Sequence, residues 1–320
     1  MSKPTVWISR KLSDNTQARA ARDYDVILNE DDVISSADDI VAMSAQVDAI
    51  LPCHSEIFTA DVVARLSERT KIIANHSVGV DHCDLDAFRQ RGIVVTNTPD
   101  VLSDATAEIA MLLMLGAARR APEGDLMVRS GNWKSWSPSF MVGTQVTGKR
   151  IGIVGMGRVG QVMAQRCRGF DMEVHYHNRS RLPAELEHGA SYHEQIETLL
   201  PVSDFLSLHC PATPDTTGLM NADHLALLPT GAIIVNSARG ALIVEDDLVA
   251  AIRSGHIAAA GLDCFVTEPG GNPAFADHAN IFMLPHIGSA TRETRDAMGF
   301  RALDNLDAFF AGEEPRDRLV

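Results

Sequence analysis

The sequence has little from which to build a covalent or metal-held scaffold. Its five cysteines, Cys53, Cys83, Cys167, Cys210 and Cys264, are odd in number and scattered, with no CxxC pair. That spacing argues against a disulfide framework and a zinc ribbon. No cluster of His, Cys and carboxylates has metal-ligand spacing, so no metal is expected. Aromatic residues are sparse, at 5%, and long apolar runs are missing. The most apolar stretch, Ile109–Ala118, is far shorter than the roughly 20 residues a bilayer-spanning helix needs. The segment Met1 to Asn15 alternates charged and polar residues and lacks the apolar centre of a signal peptide. A cytoplasmic setting is therefore expected, and scattered free thiols suit it. Cations are also short, with 28 Lys and Arg against 42 Asp and Glu and a net charge of −14. Nucleic acid and anionic membrane gain nothing from such a field, so neither is an expected partner. Any anionic ligand has to be held by local positive groups.

What is present is a long alternation of strand-like and helix-like runs. The 320 residues suggest two domains at roughly 100–200 residues each. Short apolar runs at Thr5–Ile8, Asp25–Leu28, Ala49–Leu51, Ile72–Ala74 and Ile93–Val95 read as buried strands, separated by amphipathic segments such as Ala60–Arg69 and Asp84–Arg91. Strands spaced by helices imply βαβ units and a parallel sheet. Ser103 and Asp104 can cap a helix running to Arg119, after which a Gly/Trp/Pro-rich connection spans Gly131 to Gly148. A second array follows, with strands expected at Arg150–Val154, Glu173–His177, Phe205–Leu208, Ala232–Asn236, Ala260–Asp263 and Ile281–Leu284, and a last helix at Glu293–Phe310.

The second array opens on Gly155-Met-Gly157-Arg158-Val159-Gly160, directly after a strand and at the start of a helix. In that setting the glycines have separate uses: a tight turn, close approach of backbone to a pyrophosphate, and close helix–strand packing. The helix N-terminus offers unpaired N–H groups to phosphate. The next strand decides which dinucleotide. NAD sites commonly end it in an acid that accepts from the ribose hydroxyls. Here it ends in Asn178-Arg179-Ser180-Arg181, with no acid to repel a 2′-phosphate and two guanidinium groups to grip one. NADP(H) is the expected preference, with NAD(H) possible.

Three later strands each end in a chemically useful residue, in Asn236-Ser-Ala238-Arg239-Gly240, Asp263 to Glu268-Pro269, and Pro285-His286-Ile-Gly288. Carboxyl ends of strands form the ligand crevice of an open α/β sheet, so Arg239, Glu268 and His286 are expected to converge there. Together with His76-Ser-Val78-Gly79-Val-Asp81-His82 and the glycine-rich turn, these motifs resemble the D-isomer-specific 2-hydroxyacid dehydrogenases over essentially the whole chain, and most closely the glyoxylate/hydroxypyruvate reductase branch.

The resemblance implies two Rossmann-like or flavodoxin-like α/β domains, each a doubly wound parallel sheet, with the active-site cleft between them. Residues 1–99 and 289–320 would form the substrate-binding domain and 100–288 the dinucleotide-binding one. It implies that Arg239 binds the substrate carboxylate and keto oxygen, that His286 is the acid/base, and that Glu268 orients it. The Val78 and Gly79 N–H groups would also grip the carboxylate. Thr106, Arg158, Val159, Cys210, Pro211, Ala238, Asp263 and Gly288 would line the cofactor, Asp263 near the nicotinamide carboxamide. Trp136, in the connecting segment with Trp133, would reach the neighbouring active site of a homodimer. The expected activity is reduction of a small 2-oxo acid to the D-2-hydroxy acid. A formate dehydrogenase is disfavoured, because that branch carries Gln in place of Glu268 and Asp in place of Asn178. A nucleotide-sensing corepressor is the alternative of a different class. It is disfavoured by the lack of a disordered tail after the last helix. A bulkier 2-oxo acid is the remaining enzymatic alternative.

Overall fold

A computed structural model describes residues 3–320; Met1 and Ser2, the first two residues of the N-terminal stretch read above, lie outside the described residues. The chain divides into two compact units, Met1–Leu102 with Ser289–Val320, and Ser103–Gly288.

In the first unit five strands alternate with four helices: β1 (Thr5–Ile8), α1 (Asp14–Asp23), β2 (Asp25–Leu28), α2 (Ala37–Ser44), β3 (Ala49–Leu51), α3 (Ala60–Arg65), β4 (Ile72–Ala74), α4 (Leu85–Arg91) and β5 (Val94–Thr96). The strands pair in parallel in the order β2-β1-β3-β4-β5, a doubly wound order of the flavodoxin kind. Strands β3, β4 and β5 are buried at every position, as expected of strands covered on both faces. The helices start where the sequence supplies caps: Ser13, Ser36, Thr59 and Asp84 each accept a backbone N–H of the first turn.

The second unit begins with α5 (Ser103–Ala118) and α6 (Ala121–Arg129). Then come β6 (Arg150–Val154), α7 (Arg158–Arg168), β7 (Glu173–His177), α8 (Ala184–Glu187), β8 (Ser191–His193), α9 (Ile196–Leu199), β9 (Phe205–Leu208), α10 (Ala222–Leu227), β10 (Ala232–Asn236), α11 (Glu245–Arg253), β11 (Ile257–Leu262) and β12 (Ile281–Met283). All seven strands are parallel, in the order β12-β11-β10-β9-β6-β7-β8. The order reverses at β6 and β9, which is where such a sheet opens a crevice. One face is packed by α5 and α7 through Ala107, Leu113, Met114 and Met163, the other by Leu225, Leu248, Ile252 and Phe275.

The chain then returns to the first unit. Helix α12 (Arg292–Phe310) buries Ala302, Leu303 and Leu306 against Val6, Ile8, Leu51 and Ile72. The two sheets, both parallel and doubly wound, are the architecture the sequence led us to expect. One strand, β8, was not anticipated. It is a three-residue edge strand, Ser-Tyr-His, with too little apolar character to be read as one. No helix among the described residues is long and apolar enough to cross a membrane.

Candidate active site

The turn after β6 is shaped for phosphate. Gly155 has φ +94°, and a Cβ there would lie 2.5 Å from Cys210 N and 2.7 Å from the His209 carbonyl carbon. A side chain at Gly160 would meet the Gly155 carbonyl oxygen at 2.3 Å. Between them Gly157, the N-cap of α7, has nothing within 4 Å of the position a Cβ would take. Two glycines therefore close the turn tightly, and the third leaves the first N–H groups of α7 approachable, as a pyrophosphate requires. Asn178 braces the turn from β7, its Oδ1 accepting the Met156 N–H at 2.6 Å. Arg158 and Val159 occupy the first turn of α7 itself. Cys210 and Pro211 follow β9, and the Pro211 carbonyl is held by the Thr216 hydroxyl at 2.7 Å.

Beyond Asn178 the structure separates two arginines that the sequence treats alike. Arg179 and Ser180 are exposed, and the Arg179 side chain makes no hydrogen bond or ion pair among the described residues. Arg181 is instead bonded through Nε and Nη2 to both oxygens of Glu187, at 2.8 and 3.0 Å. Glu187 also accepts from the Tyr176 hydroxyl at 2.7 Å. Arg181 and then Tyr176 hold the Glu187 carboxyl down at about 2. Arg181, expected from the sequence to grip a 2′-phosphate, is thus engaged by a carboxylate in this structure. Its guanidinium satisfies a carboxylate that folding buries.

The three later motifs start from one row of the sheet. Asn236, the last residue of β10, pairs with Leu262 of β11, which pairs with Met283 of β12. Arg239, Glu268 and His286 all lie just past that row, at the carboxyl ends of the strands. Asn236 folds back to shape the Arg239 turn, accepting the Ala238 N–H at 3.0 Å and donating to the Arg239 carbonyl at 2.8 Å. Arg239 Nη1 donates to the Ala238 carbonyl at 2.7 Å. Sequence reading missed this use of Asn236, although an Asn two residues before a turn is a recognisable signal.

Glu268 and His286 meet directly, with Nδ1 of the ring 2.5 Å from Oε2. The other oxygen, Oε1, accepts the Phe265 N–H at 2.7 Å. His286 itself has φ +54°, a left-handed backbone that costs a non-glycine residue on the order of 1 kcal/mol or more. Two bonds hold it there: its own N–H to the Leu284 carbonyl at 3.1 Å, and the Ile287 N–H to Asp263 Oδ1 at 2.8 Å. Asp263 is buried, and burial raises its carboxyl above the usual range even though the Ile287 N–H opposes the shift. Its second oxygen, Oδ2, is buried without a partner and faces Gly288, where an added Cβ would sit 3.2 Å from it and 3.5 Å from Thr106 Oγ1. A buried acceptor left unbonded is costly, so this corner fits a ligand that brings a donor, such as a carboxamide N–H.

In the first unit the loop after β4 carries Val78 and Gly79. Their carbonyls are engaged, by Asn97 Nδ2 at 2.8 Å and by the Ser77 hydroxyl at 2.7 Å. Neither of their N–H groups donates a backbone hydrogen bond among the described residues. His76, just before them, is buried, with Nε2 3.4 Å from the Arg295 carbonyl, and burial pulls its imidazole down to about 4. Trp133 and Trp136 stand out at 55% and 73% exposure. Both lie far above Trp7 of the first unit, which is buried at 3% exposure.

Comparison with known proteins agrees with this geometry. A family profile described as D-isomer specific 2-hydroxyacid dehydrogenase, NAD binding domain, matches residues 111–288. The chain belongs to the D-isomer-specific 2-hydroxyacid dehydrogenases. It is 42% identical over 316 residues to the glycerate dehydrogenase of Hyphomicrobium methylovorum, covering 98% of each chain. It is 40% identical over 318 residues to the glyoxylate reductase of Thermococcus litoralis, covering 98% of this chain and 96% of the relative. Among solved structures, an NADPH-dependent glyoxylate/hydroxypyruvate reductase of Sinorhizobium meliloti, in complex with NADP and malonate, superposes with a TM-score of 0.88 at 30% identity over 100% of this chain and 97% of that one. These similarities place this dehydrogenase in the glyoxylate reductase branch. It works with a nicotinamide cofactor on a small 2-oxo or 2-hydroxy acid.

Proposed function

We propose that this dehydrogenase is an NADPH-preferring reductase that converts glyoxylate, hydroxypyruvate or a similarly short 2-oxo acid to the D-2-hydroxy acid, with His286 as the proton donor. The observation that carries the reading is the Glu268–His286 pair, 2.5 Å apart and just past the strand row from which Arg239 also emerges. When bound, the dihydronicotinamide supplies the hydride. The protein does the rest. Arg239 holds the substrate carboxylate with a planar fork, and its charge stabilises the oxygen that becomes negative as the carbonyl is reduced. The Val78 and Gly79 N–H groups bind the same carboxylate. Glu268 on Nδ1 fixes the ring so that Nε2 holds the proton and passes it to that oxygen.

The turn from Gly155 to Gly160 fits the pyrophosphate, and the unpartnered oxygen of Asp263 fits the carboxamide. Thr106, Ala238, Cys210, Pro211 and Gly288 complete the cofactor surface in this reading. Preference for NADPH rests on Arg179 and Ser180, with Asn178 where an acid would otherwise stand. Charge-assisted hydrogen bonds to a phosphate are each worth roughly 1.5–3 kcal/mol, so even one arginine gives a preference of about tenfold or more. Exposed Trp133 and Trp136 support a homodimer in which Trp136 contributes to the partner's substrate site. A cytoplasmic location is part of the same proposal.

The test is NADPH oxidation with a panel of 2-oxo acids of increasing size, repeated with NADH. Turnover is expected to be greatest with glyoxylate or hydroxypyruvate and higher catalytic efficiency with NADPH. No oxidation with any short 2-oxo acid would refute the reading in favour of a sensing protein. Maximal turnover on a large 2-oxo acid would move the substrate class.

A further inference from the structure

Glu245 belongs to none of the motifs above, yet it is bonded to the loop that carries Glu268. It opens α11, and its carboxylate reaches across to Val266 and Asn272. Oε1 accepts the Val266 N–H at 2.9 Å, and Oε2 accepts from Asn272 Nδ2 at 3.0 Å. The two donors bracket Glu268 in the chain. The amide of Asn272 is oriented for this, because its Oδ1 is engaged by the Ala274 N–H at 3.0 Å.

The loop needs such a hold. Val266, Thr267, Glu268, Pro269 and Gly270 are exposed, and Gly270 and Gly271 have φ of +127° and +72°. Few apolar contacts fix it, so hydrogen bonds decide where it rests. The same short segment that carries Glu245 also carries Arg239. A Cβ on Gly240 would lie 1.9 Å from the Phe265 carbonyl carbon and 2.4 Å from Val266 N. The Arg239–Gly240 turn therefore runs backbone to backbone against the start of the Glu268 loop, and Glu245 ties the middle of that loop to the same segment.

We propose that Glu245 is a positioning residue for the reduction, holding the loop from Phe265 to Asn272 so that Glu268 stays on His286 Nδ1 at a fixed place relative to Arg239. The inference rests on the roles given to Glu268 and His286 above. Misplacement by about 1 Å costs up to roughly 100-fold in rate, and a loop that still samples the right position should lose less. Glu245→Ala is expected to lower kcat by about 10- to 30-fold, with KM for the 2-oxo acid and Kd for NADPH changed less than about threefold. Glu245→Gln keeps an acceptor for the Val266 N–H and should recover most of kcat. Asn272→Ala, which removes one of the two bonds, should fall between them, and it and Glu245→Gln carry the test if Glu245→Ala melts at a markedly lower temperature. Wild-type kcat in Glu245→Ala, or equal losses in Ala and Gln variants that fall on KM and NADPH binding, would overturn the proposal. An inactive wild type, or a fully active His286→Ala, is a different outcome: it removes the functional reading itself.

Discussion

The two units build the same kind of sheet and treat its crevice in opposite ways. In the first, the switch point beside β1 is filled from within. Buried Glu56 accepts from the Ser9 hydroxyl at 2.6 Å and the Cys53 N–H at 3.0 Å, while Arg10 bonds Asp32 and Ser55. In the second, the equivalent turn after β6 is glycine, and nothing lies within 4 Å of the Gly157 Cβ position. The first unit offers backbone N–H groups at Val78 and Gly79 beside a histidine that burial keeps neutral. The second gathers a guanidinium, an imidazole and two carboxylates on three adjacent strand ends. A crevice closed by its own side chains is scaffold; one left open to backbone is a site. In the proposed reading the proton and hydride chemistry belongs to the second unit, and the first contributes neutral backbone donors.

The largest effects should therefore follow substitutions in the second unit. His286→Ala is expected to reduce kcat by about 100-fold or more with NADPH affinity nearly unchanged. Near-wild-type turnover in that variant would mean the proton comes from elsewhere. A sharper contrast lies between two neighbouring arginines. Arg179→Ala should weaken NADPH binding by about tenfold or more while leaving NADH binding and melting temperature alone. Arg181→Ala should do the reverse, lowering the melting temperature because Glu187, 8% exposed, loses its cation. Matching effects of the two on titrated NADPH affinity would erase the distinction drawn between them.

The effect expected in the first unit concerns pH and stability and not catalysis. His76 titrates at about 4 when folded against an ordinary 6.5. Its neutral form is the one folding favours, so its contribution is complete above about pH 6.5 and is lost as the pH falls towards 4. The loss is at most about 3 kcal/mol. Urea midpoints measured from pH 7 to pH 4 should fall for the wild type and fall less for His76→Gln. Equal slopes would show that His76 is not a source of acid sensitivity.

How legible this was in the sequence depends on the range of each signal. Strands β1 to β4, β6, β9 and β10 are short, mainly apolar runs whose limits could be read directly, and β7 could be read from Val174 and Tyr176 alternating with polar residues. Strand β8 could not, because an edge strand needs no apolar run. Strand β11 starts at Ile257, three residues before the expected Ala260, because the Ile-Ala-Ala-Ala stretch is not distinctive as strand. The glycine-rich turn was legible because strand, glycines and helix are contiguous. The order of Arg239, Glu268 and His286 was legible as three strand-end motifs, but not the left-handed backbone of His286 or the bonds of Asp263 that hold it. Glu187 and Glu245 were missed for one reason. A glutamate in a polar stretch looks solvated, and only the fold brings Arg181 and Tyr176 to the one, Val266 and Asn272 to the other.

The most direct measurement follows the hydride itself. NADPH deuterated at the transferable position of the nicotinamide is incubated with hydroxypyruvate and the enzyme, and the glycerate is analysed for configuration and isotope position. The account predicts D-glycerate with one deuterium on C2. L-glycerate, or product without deuterium at C2, would contradict it.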